Sequence, residues 1–368
     1  MTKEASNVFA SAIRGFLAPI SHLLDDESIS EIMINGHKEI YVEKGGKLFL
    51  TDAHFADEDA LRAAVNNIAQ SVQRRIDDKN PRLDARLPAG YRIHAVIPPL
   101  CEGTVVAIRK FSKTRLSFND LIKYGSISSD AAFFLDICMK LGKNIVVSGG
   151  TGSGKTTLLS LLCNSIPSGQ RIIVIEDSKE LQIDYEHVVF FETRMADERG
   201  QGEVSIQDLL KSSLRLRPDR IIVGEVRGGE AMELIQAMNT GHKGCLGTVH
   251  ANSPDDALVR LEALALGSES KLSEKALTYQ IAGAVDIIVQ ASRFSDGSRK
   301  VATITEVIGQ NDDGTYNTQV LYDTVRLVKQ PDGKLKGHIE PLGNIPTFMQ
   351  EILDNKIPFS PKKFKKAG

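Results

Sequence analysis

The segment that most constrains this 368-residue chain is Gly149-Gly150-Thr151-Gly152-Ser153-Gly154-Lys155-Thr156, which satisfies the pattern G-x-x-x-x-G-K-[ST]. It follows the apolar run Ile145-Val146-Val147 and opens the helical pattern Lys155–Cys163. A strand, a glycine loop and a helix in that order turn several backbone N–H groups toward one point. The positive end of the helix faces the same point, so the arrangement suits a chain of phosphates. Gly149, Gly150, Thr151, Gly152, Ser153, Gly154, Lys155, Thr156 and Thr157 are therefore expected to bind a nucleotide. Lys155 would reach the β- and γ-phosphates, and the Thr156 hydroxyl would ligate Mg²⁺.

Strand and helix patterns alternate around this loop. Asn144–Ser148, Arg171–Ile175 and Arg220–Val223 read as strands, and Lys155–Cys163 and Ser205–Arg215 as helices. Such alternation predicts an α/β domain with a mainly parallel sheet, helices on both faces, and ligands beyond the carboxyl ends of the strands. A smaller mixed α+β domain precedes it. Residues 31–51 read as short paired strands turning at Asn35-Gly36 and Gly45-Gly46, and residues 58–76 as an amphipathic helix. Residues 83–111 return to strand-like alternation. The expected division is 1–111, a polar linker over 112–126, and 127–368. Ser126 or Ser128 is the expected cap of the first helix after the linker. The basic run Pro361–Lys366 is expected to be a flexible, solvated end.

Composition excludes several classes. The charge balance is 45 basic against 47 acidic residues, which argues against holding nucleic acid by bulk charge. Trp is absent, leaving little material for base-stacking platforms. Cys101, Cys138, Cys163 and Cys245 have no C-x-x-C spacing, so neither a disulfide framework nor a zinc knuckle is expected. No apolar stretch reaches the roughly 18 residues a membrane span requires, and no signal peptide is read. A cytosolic chain is the expectation.

Two acidic segments and one histidine segment fall where a nucleotide would lie. Ile172-Ile173-Val174-Ile175 runs into Glu176 and Asp177, and Arg220–Val223 runs through Gly224 to Glu225. Glu225 is expected to polarise the attacking water and to meet the metal through water; Glu176 could help order that water. His242 and His250 flank a short strand between glycine-rich turns, and either could sense a γ-phosphate by donating a hydrogen bond.

Together these motifs resemble the bacterial type II/type IV secretion ATPase superfamily, and are most similar to its tight-adherence (Tad/Flp) pilus assembly branch. The carriers are GGTGSGKT, IEDSKEL, RPDRIIVGEVRGGEA and TGHKGCLGTVHANSPDDAL, with SEIMINGHKEIYVEKGGKL, LDARLPAGYRIHAVIPPL, AIRKF and DGSRKVATITEVIG extending the similarity. The resemblance implies a RecA-like P-loop domain, ATP and Mg²⁺ as ligands, and a homohexameric ring at the cytoplasmic face of a bacterial inner membrane. It implies a membrane platform protein as partner; no direct nucleic-acid binding is expected, on the charge balance given above. It also implies arginines completing the site, for which Arg86, Arg92 and Arg109 of the first domain and Arg194, Arg215 and Arg217 of the second are candidates. The leading function is ATP hydrolysis powering pilus assembly or protein secretion. The alternatives are a conjugation-type DNA-transfer ATPase and a nucleotide-sensing scaffold.

Overall fold

Period-two burial builds the first part of the chain. In β1 (Ile29–Asn35) and β2 (Glu39–Lys44), Ile32, Ile34, Ile40 and Val42 all face one core while their neighbours face out. A computed structural model describes residues 13–87, 90–110, 116–196, 200–268, 272–324 and 327–366. The chain divides into Met1–Arg115 and Leu116–Gly368.

In the first unit, β3 (Lys47–Leu50), β4 (Arg82–Arg86), β5 (Arg92–Val96) and β6 (Val105–Arg109) join β1 and β2 in one antiparallel sheet. The order is β3-β2-β1-β6-β5-β4. Helix α1 (Glu58–Ser71) packs Leu61, Ala64, Val65 and Ile68 into the shared core. The Asp57 carboxylate caps it, and it stops one turn short of the sequence expectation because Gln73 takes a left-handed φ of 56°.

The second unit begins earlier than expected. Within the expected linker, Ser117 and Asp120 form a reciprocal capping box that starts helix α2 (Phe118–Lys123), and Leu121 joins the core. Polar composition here signals a helix cap rather than a linker; residues 111–115 lie outside the described set. Ser128 caps α3 (Ser129–Leu141). There follow β7 (Ile145–Gly149), α4 (Lys155–Cys163), β8 (Ile172–Glu176), β9 (Val188–Glu192), α5 (Ile206–Ser213), β10 (Arg220–Val226), α6 (Glu230–Asn239), β11 (Leu246–Val249), α7 (Pro254–Leu266), α8 (Glu274–Ala284), β12 (Ile287–Arg293), β13 (Arg299–Gln310) and β14 (Tyr316–Asp323).

The sheet runs Glu340–Pro341, β14, β13, β12, β7, β11, β10, β8, β9. From β12 to β9 every neighbouring pair is parallel, and β13 and β14 extend it antiparallel. Adjacent residues on β8 enter different cores: Ile172 and Val174 pack with α3 and α4, Ile173 and Ile175 with α5 to α8. Burial on both faces explains the unbroken apolar runs that announced these strands.

Glu176 ends β8 and is only 4% exposed. Its Oε1 accepts the N–H groups of Glu180 (2.9 Å) and Leu181 (3.0 Å), tying down the turn beyond the strand. Burial pushes its carboxyl up to about 7; the two amides oppose the rise, and the charges of Glu180 and Glu192 add to it.

The basic end is docked, in contrast to the sequence expectation. Phe364 is fully buried against Phe134, Tyr322 and Phe359, with ring centroids 5.4–5.6 Å away. Lys363 reaches Asp130 at 2.8 Å. One aromatic side chain among four lysines outweighs their solubility.

Phe364→Ala should cost about 3–5 kcal/mol in urea unfolding of the full chain. Lys363→Ala should cost under about 1 kcal/mol, because its ion pair is exposed. Since the folded carboxyl of Glu176 lies above its unfolded value of 4.5, the folded chain should lose stability as pH rises from about 4.5 to 7. Glu176→Gln keeps the acceptor for both amides and should flatten that slope, read as urea midpoints at pH 5 and pH 7.5.

Candidate functional site

The glycine loop sits where β7 ends. Gly149 pairs with Ala291 of β12, and a Cβ on Gly149 would stand 2.3 Å from the Ala291 carbonyl oxygen and 2.5 Å from Ser153 Oγ. Gly152 and Gly154 have left-handed φ values of 69° and 97°, so the loop turns where side chains are disfavoured. The Lys155 ammonium lies within the loop, donating to the Gly149 carbonyl at 2.8 Å and the Gly150 carbonyl at 2.9 Å. Among the described residues, Ser153 Oγ is buried without a hydrogen-bond partner, and so is Ser148 Oγ at the strand end. A cradle that a Cβ would fill, an ammonium at its centre and a buried unpaired hydroxyl fit a phosphate chain. Thr156, half-buried at the first turn of α4, is the hydroxyl available to a Mg²⁺ accompanying those phosphates.

Two strands away, β10 delivers Glu225. Between Val223 and Val226 the pairing with β11 slips, because three steps on β10 face two on β11. This bulge re-aims the Gly224-Glu225 pair, and the Thr248 hydroxyl holds it by donating to the Gly224 carbonyl at 2.7 Å. Gly224 is required by the buried acid next door: a Cβ there would lie 2.8 Å from Glu176 Cγ. Glu225 therefore occupies the position after the apolar strand because the preceding one is taken by Glu176's side chain.

Arg227 is the site residue that sequence reasoning missed. Its guanidinium bridges Glu225 Oε2 (2.6 Å) and Asp177 Oδ2 (3.1 Å). Burial by itself would raise the Glu225 carboxyl, but Arg227 outweighs it, with Lys155 and His250 assisting, and holds Glu225 below the ordinary glutamate range. The signal available was its position, one residue past the end of β10 and two past Glu225. The amides of Arg227 (2.6 Å) and Gly228 (2.9 Å) donate to Glu230, which fixes the turn into α6. Glu230 thus holds the helix start, leaving Glu225 to the strand edge.

The other candidates separate clearly. His250 follows β11 at the same carboxyl edge, exposed and electrostatically coupled to Glu225. His242 precedes β11, at the amino edge; a four-residue parallel strand of about 13 Å stands between the two histidines. The glycine turn beside His242 serves Arg220: a Cβ on Gly244 would overlap its guanidinium, which donates to the Met139 carbonyl at 2.9 Å. Arg215 and Arg217 are exposed before β10, also at the amino edge. Neither they nor His242 are brought to the phosphate loop within this unit. Arg194, beyond the edge strand β9, donates its Nε to the Gly202 carbonyl and closes the Arg194–Val204 bridge. Of the two acids at the end of β8, Asp177 joins the Glu225 network through Arg227, while Glu176 is spent on backbone amides.

In the first unit the three predicted arginines are cross-strand neighbours. Arg86 pairs with Arg92 and Arg92 with Arg109, so they form one row on one face of the sheet. Asp84 holds Arg92 at 3.2–3.3 Å, and Glu31 pairs with Arg109. Like charges set side by side disfavour a sheet, and these carboxylates beside the row offset that cost.

Comparison with known proteins shows the family. The sequence profile of the type II/IV secretion system protein family matches residues 16–316. The conjugal transfer protein TrbB of Rhizobium radiobacter is 34% identical over 290 residues, covering 78% of this chain and 86% of that protein. The type IV secretion system protein VirB11 of Bartonella quintana is 34% identical over 342 residues, covering 82% of this chain and 94% of its own. The solved structure of the pilus retraction motor PilT with bound ADP shares the fold, with a TM-score of 0.57 at 20% identity over 92% of this chain and 86% of that one. The chain belongs to the type II/IV secretion ATPase superfamily.

Proposed function

We propose that this chain is the ATP-hydrolysing motor subunit of a secretion or pilus machine. The observation that carries this is the meeting, at one carboxyl edge, of the Gly149–Thr156 loop with a bulge-set Glu225 kept ionised by Arg227. The loop amides and Lys155 bind the phosphates. Glu225, ionised at neutral pH, accepts a hydrogen bond from the attacking water and takes charge of its proton. His250, exposed at the same carboxyl edge, would donate to the outer phosphate. Mg²⁺, held by Thr156 and met by Glu225 through water, would supply positive charge to the phosphate oxygens during transfer.

The remaining positive charge is proposed to come from arginines: the Arg86–Arg92–Arg109 row, with Arg194, Arg215 and Arg217 as further candidates. Because Arg215, Arg217 and His242 lie at the opposite edge from the loop, their contribution would reach a neighbouring copy, in keeping with a homohexameric ring. The ring would work at the cytoplasmic face of an inner membrane, on a membrane platform protein; no described helix is long and apolar enough to cross a bilayer. The motifs shared with the tight-adherence branch support pilus assembly as its task. The identity with TrbB favours a second reading, in which the machine transfers DNA. Salt-sensitive stimulation of hydrolysis by DNA would select that reading.

Phosphate release and ATP binding by the purified chain test the motor chemistry. Glu225→Gln should retain ATP affinity and lose about 10²–10⁴-fold in turnover, whereas Lys155→Ala should weaken ATP binding itself. Unchanged phosphate release in the first variant, or unchanged affinity in the second, would reject the assignment. Arg227→Ala removes the main group that lowers the Glu225 carboxyl, so the acid limb of the pH–rate profile should move to higher pH. An unmoved limb would show that Arg227 has only a structural part.

A further inference from the structure

Gln290, on β12, is 4% exposed and takes no part in the chemistry proposed so far. Its Nε2 donates to the Ala251 carbonyl at 3.3 Å. Turning the amide over would set Oε1 against that carbonyl, two acceptors facing each other, so this bond fixes the orientation of the side chain. Among the described residues Oε1 is then buried without a donor. A buried amide oxygen left in that state is costly, and native interiors seldom keep one without a use.

The donor beside it in register is Ser148, its partner in the pairing of β7 with β12. Alternation along the two strands puts both side chains on the face of Val146 and Ile288, which lie in the core with α5 to α8. Ser148 is fully buried, and its Oγ also has no partner among the described residues. The hydroxyl supplies the donor that the amide oxygen lacks, and the oxygen supplies an acceptor for the hydroxyl. Both ends of this pair lead to the proposed site. Ser148 immediately precedes Gly149, where the phosphate loop begins. Ala251 is buried and immediately follows the exposed His250. Val249, before the histidine, pairs with Ser148, and Ser253, after it, caps α7. The turn that presents His250 is therefore held by one amide, whose other end lacks only the hydroxyl at the root of the phosphate loop.

We propose that Gln290 is a positioning residue for hydrolysis. When the phosphate loop is occupied, the Ser148 hydroxyl donates to Gln290 Oε1, and Nε2 holds the Ala251 carbonyl so that His250 is presented to the outer phosphate. The inference rests on the proposed motor reading and gives its phosphate loop and His250 a direct link. Rotation of the serine side chain is enough to make the bond, so β7, paired on both sides, keeps its place. Gln290 touches neither the loop glycines nor Lys155 in this scheme, so its effect falls on turnover rather than on nucleotide binding.

Phosphate release and calorimetric titration with ADP and Mg²⁺, both on the full chain, separate the two effects. Gln290→Met, close in volume but without the amide, should lower kcat about 10- to 100-fold and leave ADP affinity within about two-fold. Ser148→Ala removes a single oxygen, carries the test even if Gln290→Met fails to fold, and should show the same split. The losses should not multiply when Gln290→Met is combined with Ser148→Ala or with His250→Ala. Hydrogen exchange of the 250–257 amides should slow when ADP and Mg²⁺ are added to the wild-type chain, but not in Ser148→Ala. Wild-type kcat in either single variant, an ADP affinity that falls together with kcat, losses that multiply, or equal exchange protection in Ser148→Ala would overturn the link and leave the motor reading intact. A wild-type chain that does not hydrolyse ATP would overturn the motor reading and this inference with it.

Discussion

Where β7 ends, the backbone of Gly149 lies against the Ala291 carbonyl so closely that a methyl group would stand 2.3 Å from its oxygen. That approach sets the start of the phosphate loop against β12 and leaves the loop one way to turn, outward from the carboxyl edge and back into α4. Parallel pairing on either side of β7 carries the same constraint across the sheet. Ser148 faces Val249 of β11 and Gln290 of β12, so the ends of three strands are level. The loop, the acids after β8 and β10, and His250 after β11 are brought to one edge by strand register before any side chain interacts.

Upon that frame the site is tuned by two exclusions. Glu176 fills the space in which a side chain at position 224 would lie, so the first position past the apolar run is glycine and the acid comes one residue later. The bulge against β11 absorbs the extra residue, and Thr248 holds it in place. Arg227 then sets the charge. Two neighbouring carboxylates ending adjacent strands in different environments are driven apart: Glu176, buried among amides, toward neutrality, and Glu225, beside a guanidinium, toward ionisation. A single arginine bridging Asp177 and Glu225 also joins the ends of β8 and β10, so the same group that keeps Glu225 charged limits how far those ends can part.

Much of this was legible in the sequence because backbone chemistry has a local signature. Glycine spacing before Lys155, unbroken apolar runs in doubly covered strands, and the cap at Ser128 all act within a few residues. What was obscured depends on partners distant in sequence. The polar stretch expected to be a linker holds Leu121, whose partners lie in the core of the second unit. The lysine-rich end is anchored by Phe364, whose ring partners are as remote as Phe134. Arg227 carried no motif of its own, and its role depends on Asp177, 50 residues earlier. His242 and His250 looked equivalent because they flank one strand, but flanking residues of a parallel strand go to opposite edges.

That last point bears on how the chemistry is completed. Phosphoryl transfer spreads charge over oxygens that one lysine neutralises only in part, and guanidinium groups are the suitable supplement. At the carboxyl edge Arg227 is already committed to two carboxylates. Arg215 and Arg217 emerge at the amino edge, the length of β10 away from the loop, and Arg194 is held at an edge strand by the Gly202 carbonyl. In the first unit, Arg86, Arg92 and Arg109 stand side by side across three strands, with Asp84 on Arg92 and Glu31 paired with Arg109. Within the first unit, like charges in such a row are a cost that an anion beside them would lower.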